Sequence, residues 1–268
     1  MFGQNPVRKP AYSPVGWLYV QDIFPTIQGE GPYSGMPAVF VRLSGCNLRC
    51  FFCDTDFETK RRLMTGKEIL DEVYRSAREH KKAPTKLLVL TGGEPLIQNI
   101  SYMCQILALG GEVQVQVETA GTIWPSGGML EELVKKGSVE LVCSPKTEKV
   151  APQVADLCRH WKYLIREGCV DPDDGLPNMS TQDPGRPQRI FRPPRASDTV
   201  WLQPCEEYHD TVRFAAPSLS LEIPADQKLT ESFKDAEKTQ RNVKLCAELA
   251  MKHGYRVSLQ THKLLGLP

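Results

Sequence analysis

Short apolar runs recur along the chain, separated by longer stretches in which apolar and polar residues mix. Runs of four to six largely apolar residues, rich in Val, Leu and Ile, are typical of buried β-strands. They predict seven strands, at residues 38–43, 86–90, 113–118, 140–144, 161–165, 200–203 and 255–260.

Helical patterns fall between several of these strands. Thr65 with Glu68 three residues later forms a capping box, and apolar residues follow at helical spacing. Helices are predicted from this capping box to about residue 80, at residues 101–109 and 129–136, and up to about Gly254. Alternating strands and helices favour a parallel sheet with crossover helices. We therefore predict an α/β fold of the partial (βα) barrel type, with a mostly parallel sheet.

Two irregular stretches interrupt this alternation within a single predicted domain of residues 1–268. Residues 168–197 are rich in Pro, Gly, Asp and Arg, a composition typical of a surface insertion or a mobile loop. We expect the arginines of this insertion to be solvated. Residues 208–226 form a second irregular piece. The sequence shows no internal repeat.

The composition argues against several classes of partner. Among 268 residues, 33 Lys and Arg face 32 Asp and Glu, so the net charge of +1 provides no general attraction to nucleic acid or anionic lipid. No apolar stretch approaches the roughly 20 residues of a membrane-spanning helix. The first residues also lack the apolar run of a secretory signal. We expect a soluble, cytoplasmic protein without a nucleic-acid or membrane partner.

Nine cysteines in such a chain favour free thiols or metal ligands over disulfides. Six are scattered singly and are expected to be buried small side chains: Cys104, Cys143, Cys158, Cys169, Cys205 and Cys246. The others, Cys46, Cys50 and Cys53, form a C-x3-C-x2-C pattern just after the strand predicted at 38–43. This spacing lets one loop place its thiolates around a metal centre. A structural zinc site would need a fourth ligand, whereas three thiolates leave one iron of a [4Fe–4S] cluster open.

Polar residues stand at the ends of three consecutive predicted strands. Residues 91–95, Thr-Gly-Gly-Glu-Pro, follow one strand, and the paired glycines permit close approach of the backbone to a ligand. Glu118 ends the next strand, and Ser144, Pro145 and Lys146 end the one after. In a barrel-like fold such strand ends converge on one mouth. We predict a binding site there.

The cysteine spacing resembles that of the radical S-adenosylmethionine (SAM) superfamily. The resemblance implies a [4Fe–4S] cluster on Cys46, Cys50 and Cys53, whose fourth iron is chelated by SAM, and electron transfer that yields a 5′-deoxyadenosyl radical. It also implies a set of SAM-binding residues: Phe52, Asp54, Gly93, Glu118, Ser144, Pro145, Lys146, Gln203 and Pro204.

A narrower resemblance is to the 7-carboxy-7-deazaguanine synthases of 7-deazapurine (queuosine precursor) biosynthesis. It rests on residues 24–31, 35–42, 53–55 and 260–268. These enzymes convert 6-carboxy-5,6,7,8-tetrahydropterin to 7-carboxy-7-deazaguanine with loss of ammonia, and SAM acts as a catalyst. The resemblance further implies a homodimer and an electron donor such as flavodoxin or ferredoxin.

The same resemblance assigns substrate and metal residues. The residues expected at the pterin are Ile27, Gln28, Gly29, Glu30, Arg42, Thr91, His262 and Pro268. The planar guanidinium of Arg42 suits the 6-carboxylate of the substrate. Thr55 corresponds to a position that binds Mg2+, a cation that prefers oxygen ligands.

Two other functions remain open from the sequence. A glycyl-radical-enzyme activating protein shares the cysteine spacing and a comparable length. A zinc-stabilised binding module is the alternative outside the enzymes. Iron with acid-labile sulfide in the purified protein would distinguish a cluster from zinc.

Overall fold

The computed structural model describes residues 6–10, 13–14, 16–53, 55–79, 86–110, 113–183, 185–208 and 234–268. Its strands are β1 (Trp17–Ile27), β2 (Pro37–Leu43), β3 (Arg62–Thr65), β4 (Leu87–Gly92), β5 (Gln114–Thr119), β6 (Val139–Cys143), β7 (His160–Ile165), β8 (Thr199–Pro204) and β9 (Arg256–Val257). Its α-helices are α1 (Gly66–Glu79), α2 (Ser101–Gly110), α3 (Met129–Lys135), α4 (Pro152–Leu157), α5 (Ala236–His253) and α6 (Thr261–Leu264). None of these helices is long and apolar enough to cross a membrane.

The nine strands form one open sheet in the order β3-β1-β2-β4-β5-β6-β7-β8-β9. From β2 to β9 every neighbouring pair is parallel, whereas β1 runs antiparallel to both β2 and β3. Helices connect several of the parallel strands, as crossover connections require. The prediction of a partial barrel with a mostly parallel sheet is confirmed.

Each of the seven predicted strands is present, but β9 covers only Arg256–Val257 of the predicted 255–260. The sequence pattern missed β1, β3, α4 and α6. In β1, polar residues and Pro25 interrupt the apolar pattern, and pairing with β2, with Pro25 opposite Val39, defines the strand. The short β3 is largely exposed and depends on pairing with β1.

Two predicted helix boundaries are confirmed by their capping interactions. The Thr65 backbone N–H donates to a Glu68 carboxylate oxygen at 2.7 Å, and the Glu68 N–H donates to Thr65 Oγ1 at 3.3 Å. At the other end of the chain, α5 stops at Gly254, which has a φ of 73°. Glycine adopts this left-handed conformation without a Cβ penalty.

The two faces of the sheet differ in chemistry. On one face, Val39, Val41, Leu88 and Leu90 belong to the main apolar core that packs against the helices. Because side chains alternate along a strand, the other face carries polar residues: Gln116, Glu118, Lys162 and Gln203. The concave face of the barrel is therefore the polar one, and it leads to the carboxyl ends of the parallel strands.

The insertion at residues 168–197 departs from expectation. Its Leu176 and Ile190 are buried in the main core, so this insertion does not lie wholly on the surface. Arg192 is not simply solvated, because its guanidinium makes two hydrogen bonds to Asp174, at 2.7 and 3.0 Å. The second predicted irregular piece, 208–226, lies outside the described residues apart from Tyr208.

None of the nine cysteines forms a disulfide bond, as predicted. Five of the six scattered ones are buried, and Cys169 is half-buried. Their burial in apolar surroundings agrees with the packing role expected of isolated cysteines.

Candidate active site

A cavity of about 290 Å³ opens at the carboxyl ends of the parallel strands and contains all three clustered cysteines in its wall. The cysteines lie on the loop that follows β2. Cys46 and Cys50 are buried and Cys53 is half-buried. Burial raises the pKa of the Cys46 thiol to about 12. Coordination of iron would deprotonate such a thiol, since a bound cation reverses the local preference for the neutral form.

The arrangement of the thiols bears on the kind of centre they could hold. In the described part of the chain, no three His, Cys, Asp or Glu side chains are placed to hold a single metal ion. A cubane cluster offers a different iron to each thiolate, so its ligands surround it instead of converging on one point. Three thiols in the wall of one roomy cavity fit a [4Fe–4S] cluster.

We call residues 44–61, between β2 and β3, the cysteine loop, and residues 93–95, after β4, the Gly93 segment. The Gly93 segment packs directly against the cysteine loop. A Cβ on Gly93 would lie 2.0 Å from the carbonyl oxygen of Gly45, the residue before Cys46. The Gly93 N–H donates to Leu43 O at 3.2 Å, and the Glu94 N–H donates to Gly45 O at 2.9 Å. Only a residue without a side chain permits this contact, and it brings Gly93 to the cavity wall.

Glu94 anchors this segment to the next strand end. Its fully buried carboxylate accepts hydrogen bonds from Thr119 Oγ1, at 2.7 Å, and from the Ala120 N–H, also at 2.7 Å. Burial raises the pKa of Glu94, against these hydrogen bonds. The carboxylate thus fastens the end of β4 to the end of β5, which fixes the cavity floor.

Several of the other predicted cofactor residues also line this cavity: Phe52, Glu118, Ser144, Lys146, Gln203 and Pro204. The Lys146 ammonium donates to Ser144 O at 2.9 Å and contacts the Ser144 hydroxyl. Burial lowers the pKa of Lys146. Pro145 instead lines a neighbouring cavity of about 190 Å³, and Asp54 lies outside the described residues.

Three charged residues meet on the concave face, and we call them the charged cluster: Glu30, Glu118 and Lys162. The Lys162 ammonium contacts the Glu30 carboxylate directly and lies 3.7 Å from Glu118 Oε1. Only 10% of the lysine side chain is exposed. Burial alone would raise the pKa of Glu30, but the positive charge and hydrogen bond of Lys162 outweigh it and hold this pKa below its ordinary value of 4.5. Burial opposes the charge of Lys162, but Glu118 and Glu30 raise its pKa.

Polar neighbours complete the charged cluster. Thr91 Oγ1 donates to Glu118 Oε2 at 3.0 Å, and the Gln28 amide donates to Glu118 Oε1 at 3.2 Å. The Gln260 amide donates to Glu30 Oε1 at 2.7 Å. Lys162 was not among the predicted site residues, although a lysine inside the otherwise apolar run Trp-Lys-Tyr-Leu-Ile was a usable signal.

The residues expected at the pterin divide into two groups. Thr91 lines the large cavity directly. The others do not form the wall of this cavity. Around the end of β1 lie Ile27, Gln28, Gly29, Glu30, His262 and Pro268. Arg42 lies near the carboxyl end of β2, opposite Asp22 of β1 and Thr91 of β4. Gln28 and Glu30 contact residues of the cavity wall, since Gln28 donates to Glu118 and Glu30 is paired with Lys162. The guanidinium of Arg42 lies over the ring of Phe24, 5.6 Å from its centroid.

The C-terminal residues fold back onto the end of β1. Thr26 Oγ1 donates to Pro268 O at 2.8 Å. His262 packs so tightly on Gly29 that a Cβ there would lie 2.0 Å from His262 Nδ1. This nitrogen is buried without a hydrogen-bond partner among the described residues. Burial lowers the pKa of His262 and favours neutral imidazole. The structure thus gathers Gly29, His262 and Pro268 at one place.

Thr55, the residue assigned to Mg2+, lines the large cavity beside the cysteines. Its carbonyl oxygen lies 4.0 Å from Cys53 Sγ. The assigned oxygen ligand and the thiols therefore face the same space, in which a substrate could complete the coordination of a hard cation.

Comparison with known proteins agrees with this site. Residues 40–163, which include the cysteine loop and the Gly93 segment, match the radical SAM superfamily. A 7-carboxy-7-deazaguanine synthase of Rhodospirillum rubrum is 38% identical over 265 residues, covering 99% of this chain and 99% of that protein. The chain belongs to the 7-carboxy-7-deazaguanine synthase family.

Two further similarities extend this result. The 7-carboxy-7-deazaguanine synthase of Rickettsia prowazekii is 36% identical and covers all of this chain and 96% of its own length. The crystal structure of QueE from Escherichia coli has a TM-score of 0.55 at 17% identity, over 91% of this chain and 93% of that one. That likeness shows a shared fold. Membership of the 7-carboxy-7-deazaguanine synthase family decides against both the activating protein and the zinc module.

Proposed function

We propose that this protein converts 6-carboxy-5,6,7,8-tetrahydropterin to 7-carboxy-7-deazaguanine and ammonia, in 7-deazapurine biosynthesis. The single observation that supports this best is the cavity in which the cysteine loop, the Gly93 segment and the charged cluster meet. The product and ammonia together contain every atom of the substrate, so the reaction needs no net oxidant. When bound, the [4Fe–4S] cluster and SAM supply the one-electron chemistry that removes the substrate hydrogen at C6.

Several of the residues that we assign to the cofactors match a local property of the cavity. The thiols of Cys46, Cys50 and Cys53 hold the cluster, and Gly93, in the wall of the same cavity, is assigned to the SAM amino group. The remaining SAM contacts are assigned to Phe52, Asp54, Glu118, Ser144, Pro145, Lys146, Gln203 and Pro204. Of these, the half-buried Lys146 and Ser144 provide a cation and a hydroxyl for the carboxylate of the amino acid portion.

The substrate assignment rests on complementarity of charge and hydrogen bonds. The pterin ring presents amino and imino donors, and the carboxylates of Glu30 and Glu118 provide acceptors beside the Lys162 ammonium. Gln28, Gly29, Ile27 and His262 surround the same end of β1, and Thr91 lies beside Glu118. Arg42 offers its planar fork to the carboxylate, and Pro268 closes the site through its contact with Thr26.

Four accompanying assignments belong to this proposal. Mg2+ is held by Thr55 and by substrate oxygens, a usual arrangement for a cation that retains few protein ligands. The electron comes from a low-potential donor such as flavodoxin or ferredoxin. We also infer a homodimer. The nine free thiols support a reducing, cytoplasmic setting.

The test is anaerobic incubation of reconstituted protein with SAM, Mg2+, dithionite and 6-carboxytetrahydropterin, followed by mass spectrometry of the small molecules. We expect 7-carboxy-7-deazaguanine and ammonia in equal amounts, with SAM largely retained. A matched reaction without the pterin controls for uncoupled SAM cleavage. If 5′-deoxyadenosine and methionine accumulate without the deazapurine, the substrate assignment is wrong although the radical SAM chemistry stands.

A further inference from the structure

The insertion at residues 168–197 contacts Cys50, the middle cysteine of the cysteine loop. The Gln182 side-chain amide nitrogen lies 3.1 Å from Cys50 Sγ, and Thr181 Oγ1 lies 3.6 Å from the same sulfur. The backbone on both sides of Cys50 is also held, since the Arg49 N–H donates to Gln182 Oε1 at 2.8 Å and the Phe51 N–H donates to Thr181 O at 3.0 Å. One two-residue segment thus binds three consecutive residues of the loop.

These hydrogen bonds determine which way the Gln182 amide faces. Its oxygen must accept from the Arg49 N–H, so its NH2 group is turned toward Cys50. That group has two hydrogens, and Thr181 Oγ1, at 2.7 Å, accepts one of them. The other hydrogen is available to the sulfur. Although much of Gln182 is exposed, its amide is therefore oriented by partners on two sides.

Thr181 cannot take the place of this donor. The threonine hydroxyl has a single hydrogen, which it donates to Lys146 O at 2.8 Å. Thr181 is buried, with 9% of its surface exposed, so this arrangement is fixed. Among the contacts of Cys50, the amide of Gln182 is the group with a hydrogen left to give when the thiol becomes a thiolate.

We propose that Gln182 is a positioning residue of the cluster site, which donates an N–H···S hydrogen bond to the Cys50 thiolate and thereby raises the reduction potential of the bound cluster. This inference rests on the cluster that membership of the radical SAM superfamily implies. In the step concerned, a low-potential donor passes one electron to the cluster, and no bond is made or broken. The added negative charge is shared with the thiolate sulfurs, so a donor to sulfur stabilises the reduced form more than the oxidised form.

The experiment is a reductive titration of the reconstituted protein in the absence of SAM and pterin. Electron paramagnetic resonance monitors the reduced cluster and gives its midpoint potential. Gln182→Leu removes the donor, and the matched control is Gln188→Leu, in the same insertion but without a contact to the cysteine loop in the structure described. We expect Gln182→Leu to lower the ratio of reduced to oxidised cluster at a fixed potential by about three- to tenfold, or about 28 to 59 mV for a one-electron couple. Gln188→Leu should titrate as the wild-type protein does.

A second variant separates the hydrogen bond from loop packing. Gln182→Glu keeps the length of the side chain and an acceptor for the Arg49 N–H, but it replaces the donor with negative charge. Its potential should lie below that of Gln182→Leu. The midpoint is measured on loaded molecules only, so incomplete cluster loading does not obscure it.

Equal midpoints for the wild-type protein, Gln182→Leu and Gln182→Glu would overturn the proposal. Because the titration contains no pterin, this result is independent of the substrate assignment. Failure of the turnover assay, in turn, would leave a measured shift in potential intact.

Discussion

The cysteine loop and the charged cluster lie on the same cavity but are organised in different ways. The three cysteines lie within eight residues of sequence, in a loop held from outside by the Gly93 segment and the insertion. The charged cluster joins residues that are far apart in the sequence, on the segment after β1, on β5 and on β7, and it is held by its own ion pairs. The loop is therefore specified by local spacing, and the charged cluster by the topology of the sheet.

Because the cysteine loop is held from outside, a substitution in it should abolish turnover but preserve the folded structure. The largest expected effect is that of Cys50→Ala. With one of three thiolates missing, the cluster should not assemble and turnover should be lost completely. Iron and sulfide analysis after anaerobic reconstitution measures the first effect, and product formation measures the second. The matched control is Cys104→Ala, a buried cysteine of α2 away from the cavity.

Unfolding midpoints should separate the two roles of cysteine. The Cys50→Ala apoprotein should unfold at nearly the wild-type denaturant concentration, because the loop contributes little to the core. Cys104→Ala should lose some stability but keep full cluster content. Normal iron in Cys50→Ala would show that the ligand assignment is wrong.

A substitution in the charged cluster should instead lower the free energy of unfolding, and this loss should be measurable in the protein without its cofactors. Lys162→Met leaves the buried Glu30 carboxylate and the half-buried Glu118 carboxylate without their cation, and removal of one partner from a buried ion pair typically costs about 3–5 kcal/mol. Urea unfolding of the apoprotein at pH 7 measures this change. Lys136→Met, at an exposed lysine after α3, is the control and should stay within about 0.5 kcal/mol of wild type.

The pH dependence of this effect follows from the lowered pKa of Glu30. A carboxyl group with a lowered pKa in the folded state contributes stability that is complete above its unfolded pKa, near 4.5, and is lost as the pH falls through the folded value. The stability difference between wild type and Lys162→Met should therefore be largest near neutral pH and shrink on acidification. A difference independent of pH would indicate that Lys162 acts through packing alone.

This contrast also explains how much could be predicted from the sequence. The cysteine spacing, the strand before it and the Gly93 segment are local features, so their positions along the chain could be predicted, and each of the seven predicted strands is present, with β9 shorter than expected. The ion pairs of Lys162 depend on how β7 lies relative to β1 and β5, which no local pattern encodes. The same holds for β1 itself, whose strand conformation is defined by pairing with β2. It also holds for Gln182, because the composition of residues 168–197 is typical of a loop and gives no sign of a contact with Cys50.

Gly93→Ala tests the place where the two regions come together, and its effect should be smaller. The new methyl group would overlap Gly45 O, a backbone atom that cannot move without shifting Cys46. Overpacking of this kind costs typically about 1–3 kcal/mol. We expect reduced cluster loading as well as reduced stability, measured by iron content and urea unfolding. Gly128→Ala is the control, because nothing lies within 4 Å of a Cβ at that position; equal behaviour of the two variants would contradict the proposed contact.

The smallest expected effect is that of a substitution at Thr55. It tests whether Mg2+ binding and cluster binding, which share one cavity, depend on different residues. Thr55→Ala removes a hydroxyl but no thiolate, so the cluster should load normally. The Mg2+ concentration for half-maximal turnover should rise about tenfold, as expected if one ligand contributes about 1.4 kcal/mol. Thr55→Ser keeps the hydroxyl and should retain the wild-type response. Because the thiols and Thr55 line the same space, a loss of iron in Thr55→Ala would instead show that this residue supports the cysteine loop and not a separate cation.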